Sequence, residues 1–207
     1  MIKNILKTAV IFLVVFFYSC KQDNSKNKQI EIYQDLDPVE KIPIIDPKTS
    51  VDDYAKQSVD DALAEKLKIY ISTQFLNKED LNIILDNQRK FQLYKIDLNN
   101  DGENEVFINF LTSYFCGTGG CTLLLLNNNL ELITKFTTTR TLFVEQTFQN
   151  DWRVIMTESQ GSCRKLIFDS GSYPSNPSMA DITTEFPSGH AEVLFDKTYS
   201  KAKTYFF

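Results

Sequence analysis

The sequence predicts an α+β domain in which N-terminal helices pack on an antiparallel meander sheet, curled or blade-like. Apolar residues recur at helical spacing between residues 51 and 76, short alternating or apolar runs bounded by turn residues fill the chain after residue 89, and aromatic content is high, with 16 Phe, 9 Tyr and one Trp. Helical periodicity followed by closely spaced strands is the pattern of helices laid on one side of an antiparallel sheet. Aromatic side chains suit the pleated, half-buried surface of strands. An open sandwich with the helices at one end satisfies the same pattern, and no repeat of solenoid or propeller period is present.

The first helix is expected over residues 51–76, where Ala55, Val59, Ala62, Leu63, Leu67, Tyr70 and Ile71 recur at three and four and charged residues take the opposite face. Asn77 reads as the N-cap of a second, short helix through about Leu85, with Glu79 and Asp80 in its first turn. Both helices read as cover for a core. Strands are then expected at Phe91–Asp97, Glu105–Leu111, Thr122–Leu126, Leu130–Phe136, Thr141–Phe148, Trp152–Thr157, Cys163–Phe168 and Ala191–Tyr199, with Thr204–Phe207 as a final edge strand. Turn residues separate them at Asn127-Asn128-Asn129, Gln149-Asn150-Asp151, Gln160-Gly161-Ser162 and Asp169-Ser170-Gly171. Trp152 and Arg153 belong to an alternating strand in this reading, and not to a ligand site.

Two loops hold most of the chemistry. In Asp97-Leu98-Asn99-Asn100-Asp101-Gly102-Glu103-Asn104-Glu105, oxygen-bearing side chains at Asp97, Asn99, Asp101, Glu103 and Glu105 surround a glycine at the sixth position. This resembles the start of a calcium loop of the EF-hand type, which makes calcium the candidate cofactor, but the twelfth position is Ile108 where the bidentate glutamate belongs, and the flanks read as strands. The other reading is a turn whose Asp and Asn side chains bond the loop's own backbone. The second loop is Ser113-Tyr114-Phe115-Cys116-Gly117-Thr118-Gly119-Gly120-Cys121. Cys116 and Cys121 bracket three glycines, which makes a local disulfide the natural pairing, while a bridge from either to Cys163 is the rival. The glycines could also expose backbone N–H groups as an anion nest. No Lys or Arg lies in this loop and no helix follows, so it is not a phosphate-binding P-loop, and the CxxxxC spacing argues against a redox motif. Tyr114 and Phe115, beside the rigid loop, are the candidate contacts for a partner.

The rest of the catalytic inventory is thin. His190 is the single histidine and falls in a loop; HExxH and GxSxG motifs and a zinc-type cysteine set are absent from the sequence. Asp181, Glu185 and Glu192 are available for carboxylate-pair hydrolysis. A net charge of −5 with scattered lysines gives no electrostatic footprint for nucleic acid.

The N-terminus, MIKNILKTAVIFLVVFFYSC, places Lys3 and Lys7 before an apolar stretch that ends at Ser19 and Cys20. A basic head, a greasy middle and a small residue at the cleavage point are the order of an export signal. The apolar core spans Ala9 to Tyr18, short of the roughly 20 residues that cross a bilayer as a helix. With cysteine at the cleavage point, the segment resembles a bacterial lipoprotein precursor, although Phe17 and Tyr18 stand where that pattern usually has leucine and a small residue. An ordinary secretory signal is the alternative.

The resemblance implies removal of residues 1–19, lipidation of Cys20 and attachment to a membrane through the lipid. Residues 20–50 then form a polar, flexible tether, with docking of Ile42–Ile45 as an edge strand as the alternative, and residues 51–207 form one globular domain. The mature part carries about −7, since the signal takes Lys3 and Lys7 with it. The pairing of YKIDLNNDGENEVFINF with SYFCGTGGCTLLLL, and then SYPSNPS, is similar to an uncharacterised family of exported bacterial proteins with a DLNxDG turn and a CGxGGC loop. The likeness spans residues 91–178 and implies architecture and location, not an activity. The expected role is a lipid-anchored binding or structural module of the cell envelope, with an envelope protein as a candidate partner. A small envelope hydrolase and an inhibitor of a secreted enzyme are the alternatives.

Overall fold

The computed structural model describes Tyr54, residues 56–196 and residues 202–207. The signal, Cys20, the tether and residues 51–53 and 55 of the expected first helix lie outside the described residues. The expected continuous helix is broken at Val59-Asp60, where Asp60 takes an extended conformation as the cap of a new helix. Helix α1 spans Asp61–Tyr70 and runs directly into one π-helical turn, Ile71–Phe75; α2 spans Lys78–Ile83. The strands are β1 Lys90–Ile96, β2 Glu105–Phe110, β3 Cys116–Gly117, β4 Gly120–Leu126, β5 Leu132–Thr139, β6 Leu142–Gln149, β7 Trp152–Ser159, β8 Ser162–Leu166, β9 Asp181–Thr183, β10 Glu192–Leu194 and β11 Tyr205–Phe206.

The protein is mostly β. All strand pairs are antiparallel, as expected, but they divide between two sheets instead of forming one meander. The first has the order β11-β1-β2-β4-β3, with β5 on the other edge of β4; the second has the order β10-β6-β7-β8-β9. The division is visible in the side chains. On β1, β2 and β4, alternate residues Phe91, Leu93, Val106, Ile108, Phe110, Leu124 and Leu126 join one core with Leu67 and Ile71 of the helical segment. Their neighbours Tyr94, Ile96, Phe107, Leu123 and Leu125 join a second core with Leu142, Val144, Ile155, Leu166 and Leu194 of the other sheet. The first sheet is therefore covered on both faces, by helices and by the second sheet. That is why β2 is buried at every position, its polar Glu105 and Asn109 included.

Local chemistry fixes the ends of the elements. Asp60 caps α1 by accepting from the Leu63 N–H, and Asn77 with Asp80 forms a capping box at α2. The turns at Asn150-Asp151, Gln160-Gly161 and Ser170-Gly171 each place both central residues at positive φ. This is the type I′ geometry whose twist matches that of the flanking strands. The segment after β10 is short: Glu192–Leu194 is the described strand where Ala191–Tyr199 was expected, and residues 197–201 lie outside the described residues.

Arg153, on β7 as expected, is 6% exposed, and each of its three guanidinium nitrogens donates a hydrogen bond. A bulge between Val144 and Phe148 breaks the β6–β7 register, and the guanidinium donates to the Val144 and Glu145 carbonyls at 3.1 and 2.6 Å. It also pairs with Glu192 at 2.7 Å. A buried charge is tolerable when it is both paired and hydrogen-bonded, as this one is.

Candidate functional site

The loop at residues 97–105 is closed by its own side chains. Asp97 accepts from the N–H groups of Asn100 and Gly102, Asn99 from that of Asp101, and Asp101 from that of Glu103. Gly102 sits at φ +90°, which allows the reversal. Glu105 is buried and its carboxylate accepts from the Leu98 N–H at 2.8 Å; burial pushes its pKa up to about 7. Leu98 is itself buried in the second core, and its carbonyl accepts from the Arg153 N–H. The loop thus acts as a corner tying β1 and β2 to β7. Side-chain oxygens of Asp97, Asn99, Asp101 and Glu105 are engaged by backbone N–H groups. Among the described residues no three His, Cys, Asp or Glu side chains are arranged to hold a metal. In this arrangement the loop takes the form of the other reading, a turn bonded to its own backbone.

The disulfide loop is different. Cys116 and Cys121 are bonded, with Cα atoms 4.0 Å apart, and face each other across the β3–β4 hairpin. Cys163 is free, half-buried on β8. The two aromatic candidates separate. Phe115 turns inward, stacking on Phe110 at 4.2 Å between ring centroids and packing on Phe75, so it anchors the loop to the helix-side core. Tyr114 is 44% exposed, and its hydroxyl donates to Asp80 at 2.5 Å. That bond holds the Asp80 carboxyl below the usual carboxylate range and raises the tyrosine.

Beside the hairpin lies a groove of about 530 Å³, lined among others by Thr112, Cys121, Thr139, Arg140 and Asp196. Three parts of the chain meet there. Thr112 follows β2, Thr139 stands opposite Cys121 in the β4–β5 register, and Arg140 occupies the corner where the chain leaves the first sheet for the second. The hydroxyls of Thr112 and Thr139 are buried without a hydrogen-bond partner. Arg140 is exposed and makes no ion pair among the described residues. Sequence reasoning missed these three residues. The only trace is a run of threonines, Thr137-Thr138-Thr139-Arg140-Thr141, between two strands.

The three candidate carboxylates are not all brought together: Asp181 stands opposite Lys165 in the β8–β9 register and Glu185 pairs with that same lysine, whereas Glu192 lies apart from Asp181. Glu192 lies on β10 at one edge of the second sheet and Asp181 on β9 at the other, four strand spacings or about 19 Å apart. Glu192 is committed to Arg153 and to the Tyr94 hydroxyl, and Glu185 pairs with Lys165 at 3.0 Å. A hydrolytic pair needs its carboxyl groups within about 10 Å. Glu192 is therefore outside any such pair with Asp181. His190 is exposed, in the loop before β10.

Comparison with known proteins finds no matching family model, no matching curated protein and no matching solved structure. Among the described residues no helix is long and apolar enough to cross a membrane.

Proposed function

We propose that this chain is a lipid-anchored, exported binding module of the bacterial cell envelope, held to the membrane through Cys20. Its recognition surface is the disulfide hairpin with the adjoining groove, and its partner is a component of the envelope. One domain spans residues 51–207, and residues 20–50 tether it. The observation that carries the reading is the Cys116–Cys121 disulfide. Such bridges persist in oxidising compartments and are rare where glutathione keeps thiols reduced. A signal-like N-terminus ending in Ser19-Cys20 agrees with that compartment. A single acyl chain binds a membrane only marginally, whereas each buried methylene adds about 0.8 kcal/mol, so the two or three chains of a lipoprotein hold firmly.

Intact-mass measurement on the membrane fraction of a bacterium expressing the full chain tests this. The expected species lacks residues 1–19 and carries added acyl mass, and Cys20→Ala releases the protein from the membrane. A native chain recovered from the cytosol with its first nineteen residues attached overturns the proposal.

A further inference from the structure

We propose that the groove beside the disulfide hairpin binds a small carboxylate-bearing ligand, with the Arg140 guanidinium as its anion clamp and the Thr112 and Thr139 hydroxyls as further hydrogen-bond partners. The inference rests on the reading of this groove as the recognition surface, and it adds the chemistry of what is recognised.

The first observation is electrostatic. In an acidic chain, Arg140 is an exposed arginine without an ion pair among the described residues, standing at the rim of a concavity. The other three described arginines are employed: Arg89 bonds the Leu81 and Ile84 carbonyls, Arg153 bonds carbonyls and Glu192, and Arg164 donates to the Ala180 carbonyl. A guanidinium presents a planar fork of N–H donors that matches a carboxylate in a bidentate pair.

The second observation is independent of the charge. Thr112 is 1% exposed and Thr139 is 3% exposed, both line the same groove, and neither hydroxyl has a partner. Buried hydroxyls are nearly always hydrogen-bonded, because leaving one unpaired costs about 1–3 kcal/mol. Two such groups at one concavity mark a place where a polar ligand supplies what the protein does not. Both hydroxyls lie beneath the groove surface in this structure, and whether a ligand engages them is what the Thr139→Val arm of the test reads. The volume suits a ligand of a few heavy-atom groups. Arg140 is the one cationic residue among the described groove-lining residues, so its single charge matches a carboxylate, whereas a phosphate dianion would keep a charge that no second cation there meets. The disulfide keeps Cys121 and, through the β4–β5 register, its neighbour Thr139 in place before the ligand arrives.

The test is a titration of the ¹⁵N-labelled full chain with N-acetyl-dialanine as the free acid, with its C-terminal amide, with glucuronate and with inorganic phosphate. The expected result is saturable amide shifts at Thr112, Thr139 and Gly119-Gly120 for at least one carboxylate. N-acetyl-dialanine and glucuronate distinguish a peptide from a sugar acid as its source, and either supports the proposal. The amide binds at least tenfold more weakly than the acid, and Arg140→Gln weakens carboxylate binding by a similar factor. Thr139→Val keeps the shape and removes one hydroxyl; the proposal expects weaker binding with stability unchanged or raised, whereas a structural hydroxyl gives lower stability with binding unchanged. Absence of saturable shifts with both carboxylates, equal binding by Arg140→Gln, or binding of phosphate alone overturns it. A cytosolic chain that still binds through Arg140 sinks the envelope reading and leaves this one standing. A lipidated chain blind to carboxylates does the reverse.

Discussion

The two polar loops on the first sheet are similar in length and in their wealth of turn residues, and they spend their polar groups in opposite ways. In the loop at residues 97–105, acceptor oxygens meet N–H donors of the same loop, and the last carboxylate bonds the Leu98 N–H. In the loop at residues 113–121, closure is covalent, the three glycines carry no side-chain acceptors, and the neighbouring Thr112, Thr139 and Arg140 are left unspent. A loop that satisfies itself is a structural corner. A loop held by a bond that consumes no polar group leaves hydrogen-bonding capacity free for a ligand. The DxNxDG motif catches the eye in the sequence, yet the plainer cysteine loop is the better candidate for recognition.

The sharpest way to separate the two is to open each closure in turn. Replacing both Cys116 and Cys121 by Ser is expected to cost about 2 kcal/mol, the chain-entropy estimate for so short a loop. Urea unfolding of the variant against the native chain measures it. The fold should survive, because Phe115 still packs on Phe110 and Phe75. Asp97→Ala removes the acceptor for two backbone N–H groups and is expected to cost about 1 kcal/mol, as cap deletions do. If calcium holds this loop after all, millimolar calcium will raise the melting temperature of the native chain and not that of Asp97→Ala.

Gly102→Ala is expected to cost about 1 kcal/mol by strain, since its φ is +90° while nothing crowds the place of a Cβ. The fourth prediction concerns pH. Burial raises the Glu105 pKa to about 7 from an ordinary 4.5, so the folded state holds its proton more tightly than the unfolded state. This contribution to stability is full below about pH 4.5 and is lost as pH rises through about 7. Glu105→Gln should flatten that part of the stability profile, read by chemical denaturation from pH 4.5 to 8. A profile of unchanged slope would show that the loop's closure does not depend on this carboxyl. The smallest effect is expected at the other loop: Arg140→Gln should move stability by no more than about 0.5 kcal/mol, as befits an exposed side chain.

Much of the local structure was legible. The N-cap at Asn77 lies where it was expected, and the turns at Asn150-Asp151, Gln160-Gly161 and Ser170-Gly171 fall on the expected turn residues. Strands β1, β2 and β4 to β8 lie within two or three residues of their sequence-based bounds. Misses are equally instructive. The three-residue β9 has no period to detect, and the first helix is interrupted at Ile71 by a π-turn that apolar spacing alone does not reveal. Phe115 looked like a surface contact because its loop is polar, and only packing against two other phenylalanines shows it to be core.

The sequence by itself determined the caps, turns and most strand positions and favoured the local cysteine pairing, since each depends on residues close along the chain. It also limited the chemistry, for no cation lies inside the cysteine loop. Tertiary structure alone decided that the strands divide into two sheets, that Glu192 serves Arg153 instead of joining Asp181, and that Arg140 arrives beside the hairpin from the corner between the sheets. Those outcomes depend on which apolar faces bury against each other, a choice made among residues distant in sequence that no local spacing encodes.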